Sequence, residues 1–383
     1  MHSIKSRITA VGLVIPLVLG MAGSALAQDE SNQASCNYPG DLTGGKPLVI
    51  VIEGLGDPSS GFFRTLNNGA QQAAKDLCVE ARYIYPQGGS FDLASYTQQI
   101  EQSIAAQPDG IVILGIGDLD AVAQQAKDAG IAVGFQPAPS AKDQPLRDPN
   151  DIYVSRVGAD EYAGGAMAAN RFIADGAKSL VCVQQDPADG TQTMRCQGMA
   201  DVAAEAGVKY QLVAGSPDPG QTAALLEPFL RANPDVDAML NTGGSATTGL
   251  VTAKNAVGRE IFTAGFDVLP ELVKLIQDGE LTFTIDQQGY WRGYISVMQL
   301  VHYIRYGLVQ ANYYLTGPIL VDASNADQVA SLAEAGVRWP SSTDDLRQPR
   351  ARQRASGCRR RLRRGERPCG PSAEHIHSRL NAT

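Results

Sequence analysis

From Lys46 onward the chain repeats one unit: a short apolar run rich in β-branched residues, a break, then a longer amphipathic stretch. PLVIVIEG is followed by GFFRTLNNGAQQAAKDLC, ARYIYPQG by DLASYTQQIEQSIAAQ and DGIVILGI by AVAQQAKDAG, and IAVGFQ closes the series. After the Pro-rich PAPSAKDQPLRDP the alternation resumes with DIYVSRVG, EYAGGAMAANRFIADG, SLVCVQQD, TMRCQGMADVAAEAG, YQLVAGS, TAALLEPFLRANP, DAMLNTGG, ATTGLVTAKNAVG and IFTAGFD. Strands that are apolar on both faces belong in parallel sheets covered by helices on both sides. The runs are too many for one modest sheet and the halves look alike. The expected fold class is therefore α/β, as two doubly wound parallel-sheet lobes.

In such sheets ligands bind beyond the carboxyl ends of the strands. That gives meaning to GFDVLPELVKLIQDGELTFTIDQQGYWRG, in which one strand ends at Asp267 and the next at Asp286-Gln287. Polar side chains at those ends are expected to face a ligand.

Both termini differ from this body. His2, Lys5 and Arg7 precede an apolar run from Ala10, and Ala25-Leu26-Ala27 reads as a small-x-small cleavage site. Residues 1–27 are expected to be a signal peptide cut after Ala27, with 28–45 as an N-terminal extension. Cys36 is too far from the apolar run to carry a lipid, so the expected location is periplasmic, free rather than membrane-embedded. The formal net charge is −8, yet eleven arginines crowd the segment from Arg347 to the end. A basic tail alone does not make a nucleic-acid binder, and 341–383 reads as a solvated, disordered arm with no nucleic-acid partner.

Four cysteines remain in the body: Cys36, Cys78, Cys182 and Cys196. Export permits disulfides. Cys182 ends SLVC and Cys196 is expected to open the next helix; a bridge closing a loop of this kind is worth about 3 kcal/mol. Cys36 and Cys78 form the second expected pair, and four buried thiols are the alternative. Catalytic machinery is not legible. His302 is the one histidine between the ends, no Gly-x-Ser-x-Gly or His-Glu-x-x-His occurs, and no enzyme activity, metal or cofactor is expected. TGGSATTG lacks the lysine of a phosphate-binding loop and reads as a tight turn that lets a ligand approach the backbone.

The order and spacing of GFFRTLNNGAQQAA, QPDGIVI, AKDAGIAV, VGADEYAGGAMAA, TMRCQGM, GFDVLPELVKLIQDG, FTIDQQGYWRG and LTGPILVD resemble the periplasmic sugar-binding proteins of the ribose/galactose type. These are substrate-binding components of ABC importers, and the resemblance spans roughly 46–338. It implies the type I periplasmic binding fold, with residues 46–158 and 288–317 in one lobe and 159–287 and 318–340 in the other. The hinge crossings would fall near Gly158-Ala159, Gln287-Gln288 and Gly317-Pro318.

By the same resemblance Phe62 and Phe63 pack against a sugar ring, Arg195 forks to hydroxyls, Asp267 accepts from two hydroxyls, and Gln287 is a pocket glutamine at a hinge. Ser60 and Glu53 are further candidates in the first loop. Gln136-Pro137 stands where an Asp-Arg pair is common, Thr242-Gly243-Gly244 where Asn-Asp is common, and Met199 where an aromatic is usual. Gln136 and Gly243 remain expected ligand contacts, with a guest other than ribose or galactose left open. The implied function is capture of a monosaccharide or related polyol by hinge closure, as a monomer, and delivery to an ABC permease. The alternative is a sensor component presenting the guest to a chemoreceptor or a histidine kinase.

Overall fold

The computed structural model describes residues 38, 40–58, 61–86, 92–115, 117–136 and 151–334. Apart from Tyr38, these lie in one compact unit that begins at Gly40. The expected signal peptide, Cys36, Ser60 and the arginine-rich tail fall outside the described residues.

The apolar runs form two six-stranded sheets. The first contains β1 (Val49–Glu53), β2 (Glu80–Ile84), β3 (Gly110–Leu114), β4 (Ala132–Gln136), β5 (Ser155–Ala159) and β11 (Tyr314–Gly317), in the order β11-β5-β4-β3-β1-β2. The second contains β6 (Ser179–Gln184), β7 (Lys209–Ala214), β8 (Ala238–Asn241), β9 (Phe262–Phe266), β10 (Phe283–Asp286) and β12 (Ile319–Asp322), in the order β12-β10-β9-β8-β6-β7. All pairings are parallel except β10 with β12. The interior strands β3, β6, β8 and β10 are buried throughout, whereas the edge strands β2 and β7 alternate with solvent. This is the doubly wound α/β architecture, in two lobes.

Helices cover both faces. In the first lobe α1 (Gly61–Asp76) and α9 (Gly289–Tyr306) pack on one side, through Leu66, Ala70, Ala73, Val297, Leu300 and Val301. On the other side lie α2 (Leu93–Ala105) and α3 (Asp120–Asp128). The second lobe pairs α4 (Glu161–Ala174) with α5 (Gly190–Ala206) on one face and α6 (Pro219–Ala232) with α7 (Thr247–Val257) on the other. Helices α8 (Pro270–Gln277) and α10 (Ala326–Glu334) close its edge. Four starts share one device: the carboxylates of Asp92, Asp160, Asp189 and Asp218 accept backbone N–H bonds from the first turns of α2, α4, α5 and α6. Each such cap stabilises its helix by about 1 kcal/mol.

Asp189 corrects one expectation. Because it starts α5 at Gly190, Cys196 lies in the second turn rather than at the helix opening. The Cys182–Cys196 disulfide is present, with Cα atoms 5.6 Å apart, and staples α5 to β6. Cys78 is disulfide-bonded, while Cys36 lies outside the described residues. The run DIYVSRVG becomes strand only from Ser155, because the Asp151 carboxylate accepts from the Tyr153 N–H and from Arg156, turning the chain first.

Helix pairs α1/α9 and α4/α5 approach more closely than side chains allow. A Cβ on Gly69 would lie 1.8 Å from the Tyr290 carbonyl oxygen, and one on Gly165 would lie 1.7 Å from that of Arg195. These contacts bring together the middle of α1 and the first turn of α9 in one lobe, and Glu161 and Arg195 in the other.

Three segments join the lobes: Ala159-Asp160 between β5 and α4, Gln287-Gln288 between β10 and α9, and Gly317-Pro318 between β11 and β12. They lie side by side. The Asp160 N–H donates to the Gly317 carbonyl at 3.1 Å, and the Thr316 hydroxyl donates to the Gln287 carbonyl at 2.8 Å. Among the described residues, no helix is long and apolar enough to cross a membrane.

Candidate functional site

The carboxyl ends of β4, β9 and β10 converge with the early turns of α4, α5 and α9, as open parallel sheets dictate. Each element delivers one polar side chain: Gln136, Asp267 and Gln287 from the strand ends, and Glu161, Arg195 and Arg292 from the helices. All but half-buried Asp267 are shut away from solvent.

Two guanidiniums organise the cluster. Arg195 donates from Nε to Glu161 Oε2 at 2.8 Å and holds the same oxygen from Nη2 at 2.7 Å. Its Nη1 donates to the Thr242 carbonyl, and its plane lies 4.0 Å from the centre of the Phe266 ring. Arg292 enters from the other lobe. It donates from Nε to Gln136 Oε1 at 2.8 Å and from Nη1 to Gln287 Oε1 at 3.3 Å. Glu161 Oε1 is 3.8 Å from Nη1, and the Phe62 ring centre is 5.5 Å from the guanidinium carbon. Glu161 thus stands between arginines of both lobes.

Asp267 completes the circuit. Its Oδ1 accepts from Gln287 Nε2 at 2.6 Å, so the two groups of the Gln287 amide link Asp267 to Arg292. The left-handed backbone at Asp267, φ +70°, turns the side chain out of the strand end. Asp286 is held at the crossing, its Oδ1 accepting the Gln288 N–H at 2.7 Å.

Burial governs the protonation equilibria. It pushes the Glu161 and Asp267 carboxyls up, against the opposing pull of Arg195 on both. It brings Arg292 down to about 10, with Glu161 opposing. Removing charge from water disfavours the charged form, and nearby opposite charge recovers only part of that loss.

A cavity of about 350 Å³ opens beside the cluster, between the two lobes. Phe62, Thr65, Tyr290 and Trp291 line it from one side, and Asp267, Val268, Leu269, Asp286 and Leu332 from the other, with Gln288 at the crossing. The ring of Trp291 is fixed by stacking on Tyr294 at 5.6 Å and by donating from Nε1 to the Tyr314 hydroxyl at 2.8 Å. One wall is aromatic and the other bears carboxylates, a combination suited to a molecule with apolar C–H faces and donor hydroxyls.

The sequence candidates separate accordingly. Phe62 and Asp267 border the cavity, Gln287 supports Asp267, and Gln136 and Arg195 lie in the buried cluster behind. Phe63 instead covers Gly56, where an added Cβ would lie 2.4 Å from its ring. Gly243 does not reach the cavity wall. The Gln185 amide fills the space beside it, bonding the Ala246 N–H and the Ser245 hydroxyl, and the Gly243 carbonyl accepts from Asn241 and Thr247. Glu53 lies beneath α2, accepting from Gln99 at 2.7 Å, and burial raises its carboxyl. Met199 sits in the second lobe's core, and His302 packs on Tyr306 along α9.

Sequence reasoning missed Glu161 and Arg292. An acid in a helix's first turn ordinarily answers the helix dipole, which hid Glu161. For Arg292 a signal existed: with Ser296 and Gln299 it forms a polar row on a helix whose neighbouring positions are apolar, and all three are buried.

Residues 55–307 match a profile described as a periplasmic binding protein domain. The chain is 25% identical over 257 residues to the xylose/arabinose-binding protein of Sulfolobus acidocaldarius, a match covering 63% of this chain and 63% of that protein. The chain therefore spans less than two thirds of that relative's length. It is 26% identical over 245 residues to the ribose import binding protein of Salmonella typhimurium, covering 63% of this chain and 78% of the relative. A carbohydrate transporter from Acidothermus cellulolyticus, solved in complex with myo-inositol, superposes with a TM-score of 0.65 at 26% identity, over 76% of this chain and 99% of that one.

Proposed function

The chain belongs to the periplasmic binding protein domain family, and from that premise we propose that it is an exported solute-binding protein for a monosaccharide or related polyol. The observation that carries the reading is one cavity bounded by an aromatic face, Phe62, and by a strand-end carboxylate, Asp267, that a pocket glutamine supports. The names of the relatives agree in class: one is a xylose/arabinose-binding protein, one a ribose import binding protein, and one structure holds myo-inositol.

Capture proceeds by rotation of the lobes about their three adjacent crossings, a hinge motion that closes walls from both lobes over the guest. Asp267 accepts from guest hydroxyls while Phe62 covers a C–H face. A charge-assisted bond of this kind is worth about 1.5–3 kcal/mol once water is excluded. An analogue lacking the hydroxyl leaves the carboxylate short of a partner, which is the source of discrimination. The closed form is delivered to the permease of an ABC importer, and the guest leaves chemically unchanged.

Thermal-shift measurements against pentoses, hexoses and cyclitols test the reading. A ligand at 100 times its Kd stabilises the native state by about 2.7 kcal/mol. Stabilisation by at least one of these compounds is expected; no response to any of them at millimolar concentration overturns it.

A further inference from the structure

We propose that the cavity takes a glycoside rather than a free sugar, with the sugar ring on Phe62 and Asp267 and an apolar aglycone at the mouth, between Trp291 and Leu332. The inference rests on the sugar-binding reading above and deepens it by naming the class of guest.

Exposure grades along the cavity wall. Thr65 and Asp286 are buried, Asp267 and Leu332 are half-buried, and Trp291, 38% exposed, marks the mouth. Chemistry changes along the same line. Thr65, Asp267, Asp286 and Gln288 carry groups that bond hydroxyls. Trp291 has a single side-chain donor, and its Nε1 already gives that to the Tyr314 hydroxyl at 2.8 Å. Leu332 has none. These two side chains therefore offer a guest only apolar surface. The volume, about 350 Å³, falls in the range of about 300–1,000 Å³ typical of pockets for drug-sized ligands, a class larger than a monosaccharide.

Trp291 is built as a platform. Tyr294 packs against the core of the first lobe, whereas Trp291 stands toward solvent on the same helix. Its ring lies within 16° of parallel to that of Tyr294, with centres 5.6 Å apart, and the Tyr294 hydroxyl is itself anchored on Asp76 at 3.1 Å. The indole is thus fixed before any guest arrives, and a fixed aromatic surface binds without the entropy cost of ordering a loose side chain.

The facing wall is made the same way. Ala326 and Val329 seat α10 on the core of the second lobe, and Leu332, one turn on, reaches the cavity instead. Trp291 and Leu332 belong to different lobes, so the hinge motion that encloses the ring also narrows the gap around its substituent.

The test is calorimetric titration of wild type, Trp291→Ala, Trp291→Phe and Leu332→Ala. The ligands are ribose and galactose, their methyl and phenyl glycosides in both anomers, and lactose. Wild type is expected to bind one phenyl glycoside about 10- to 100-fold tighter than its methyl counterpart, the worth of burying a phenyl-sized apolar group. Trp291→Ala should bring that ratio close to one, and Trp291→Phe, which keeps a ring, should restore part of it.

Equal weakening of both glycosides, with the ratio kept, would make Trp291 a structural residue and overturn the proposal. If Trp291→Ala does not fold, Leu332→Ala is read by the same ratio. Equal affinity of wild type for phenyl and methyl glycosides, or tighter binding of the free sugar, overturns the aglycone while leaving the sugar-binding reading intact. Lactose bound more tightly than any phenyl glycoside makes the extension a second sugar and likewise overturns it. Silence toward the glycosides and toward every free pentose, hexose and cyclitol overturns both.

Discussion

An alanine at Gly165 would set its Cβ 1.7 Å from the carbonyl oxygen of Arg195 and 2.6 Å from the carbonyl carbon. Both atoms are backbone, so no change of rotamer relieves the overlap, and α4 and α5 must part. Overpacking of this kind costs about 1–3 kcal/mol, while alanine in a helix gains about 1 kcal/mol over glycine. With an overlap this deep the upper end of the overpacking range applies, so the net loss is about 2 kcal/mol, and the melting temperature falls about 2–4 °C for each kcal/mol.

Function should suffer as well, because the same separation pulls Arg195 from Glu161, which it now holds at 2.7–2.8 Å. Gly190, on the exposed start of α5, has nothing within 4 Å of an added Cβ and serves as the matched control. Alanine there should be neutral or stabilise by up to about 1 kcal/mol, chiefly by restricting the unfolded chain. Urea unfolding and calorimetry of the two variants decide the matter. Wild-type stability in Gly165→Ala, or greater damage from Gly190→Ala, would refute the close-approach argument.

Asp267→Ala should weaken binding of the guest about 10- to 150-fold while leaving the ligand-free melting temperature within a few degrees of wild type; affinity equal to wild type would remove Asp267 from the site. Replacing both Cys182 and Cys196 by alanine should lower stability by about 3 kcal/mol, read from urea unfolding with the slope fitted for each protein because the uncrosslinked chain unfolds further, and an unshifted midpoint would mean the staple constrains nothing. The Ser324 hydroxyl and Arg171 hold the Asp322 carboxyl down at about 2, below its ordinary 3.8. That stabilisation is present above about pH 4 and lost as pH falls toward 2. Asp322→Asn should therefore be less stable than wild type at pH 7 and approach it only near pH 2, and a gap that stays constant with pH would rule out this carboxylate as the cause.

Much of the architecture was readable because each element carries its own signal. Runs such as PLVIVIEG cannot be anything but interior strand once helices flank them, whereas the start of α5 was misplaced because its cap, Asp189, lies ahead of the run TMRCQGM that looked helical. Asp267 and Gln287 were readable for a related reason, since polar residues at consecutive strand ends have one place to point. What escaped depends on partners distant in sequence. Nothing near Glu161 announces that Arg195 and Arg292 will close on it from two lobes. Gly243 looked open to a ligand because Gln185, which occupies the space, arrives from a different loop. Gln136 looked like the loss of a charged pair; in the structure it holds the Nε of Arg292, so a guanidinium reaches that corner from α9 instead.

The lacing of the chain between lobes also bears on how the protein is made. On the face of β1, β3 and β4 covered by α9, Ile50, Ile52 and Val112 meet Val297, Leu300 and Val301, residues synthesised only after β6 through β10. A nascent chain halted at residue 286 would hold five strands of its first sheet with that greasy surface bare, the state most prone to stick to its neighbours. Neither half can be finished in isolation, so the polypeptide has no chance to settle until nearly all of its strands exist.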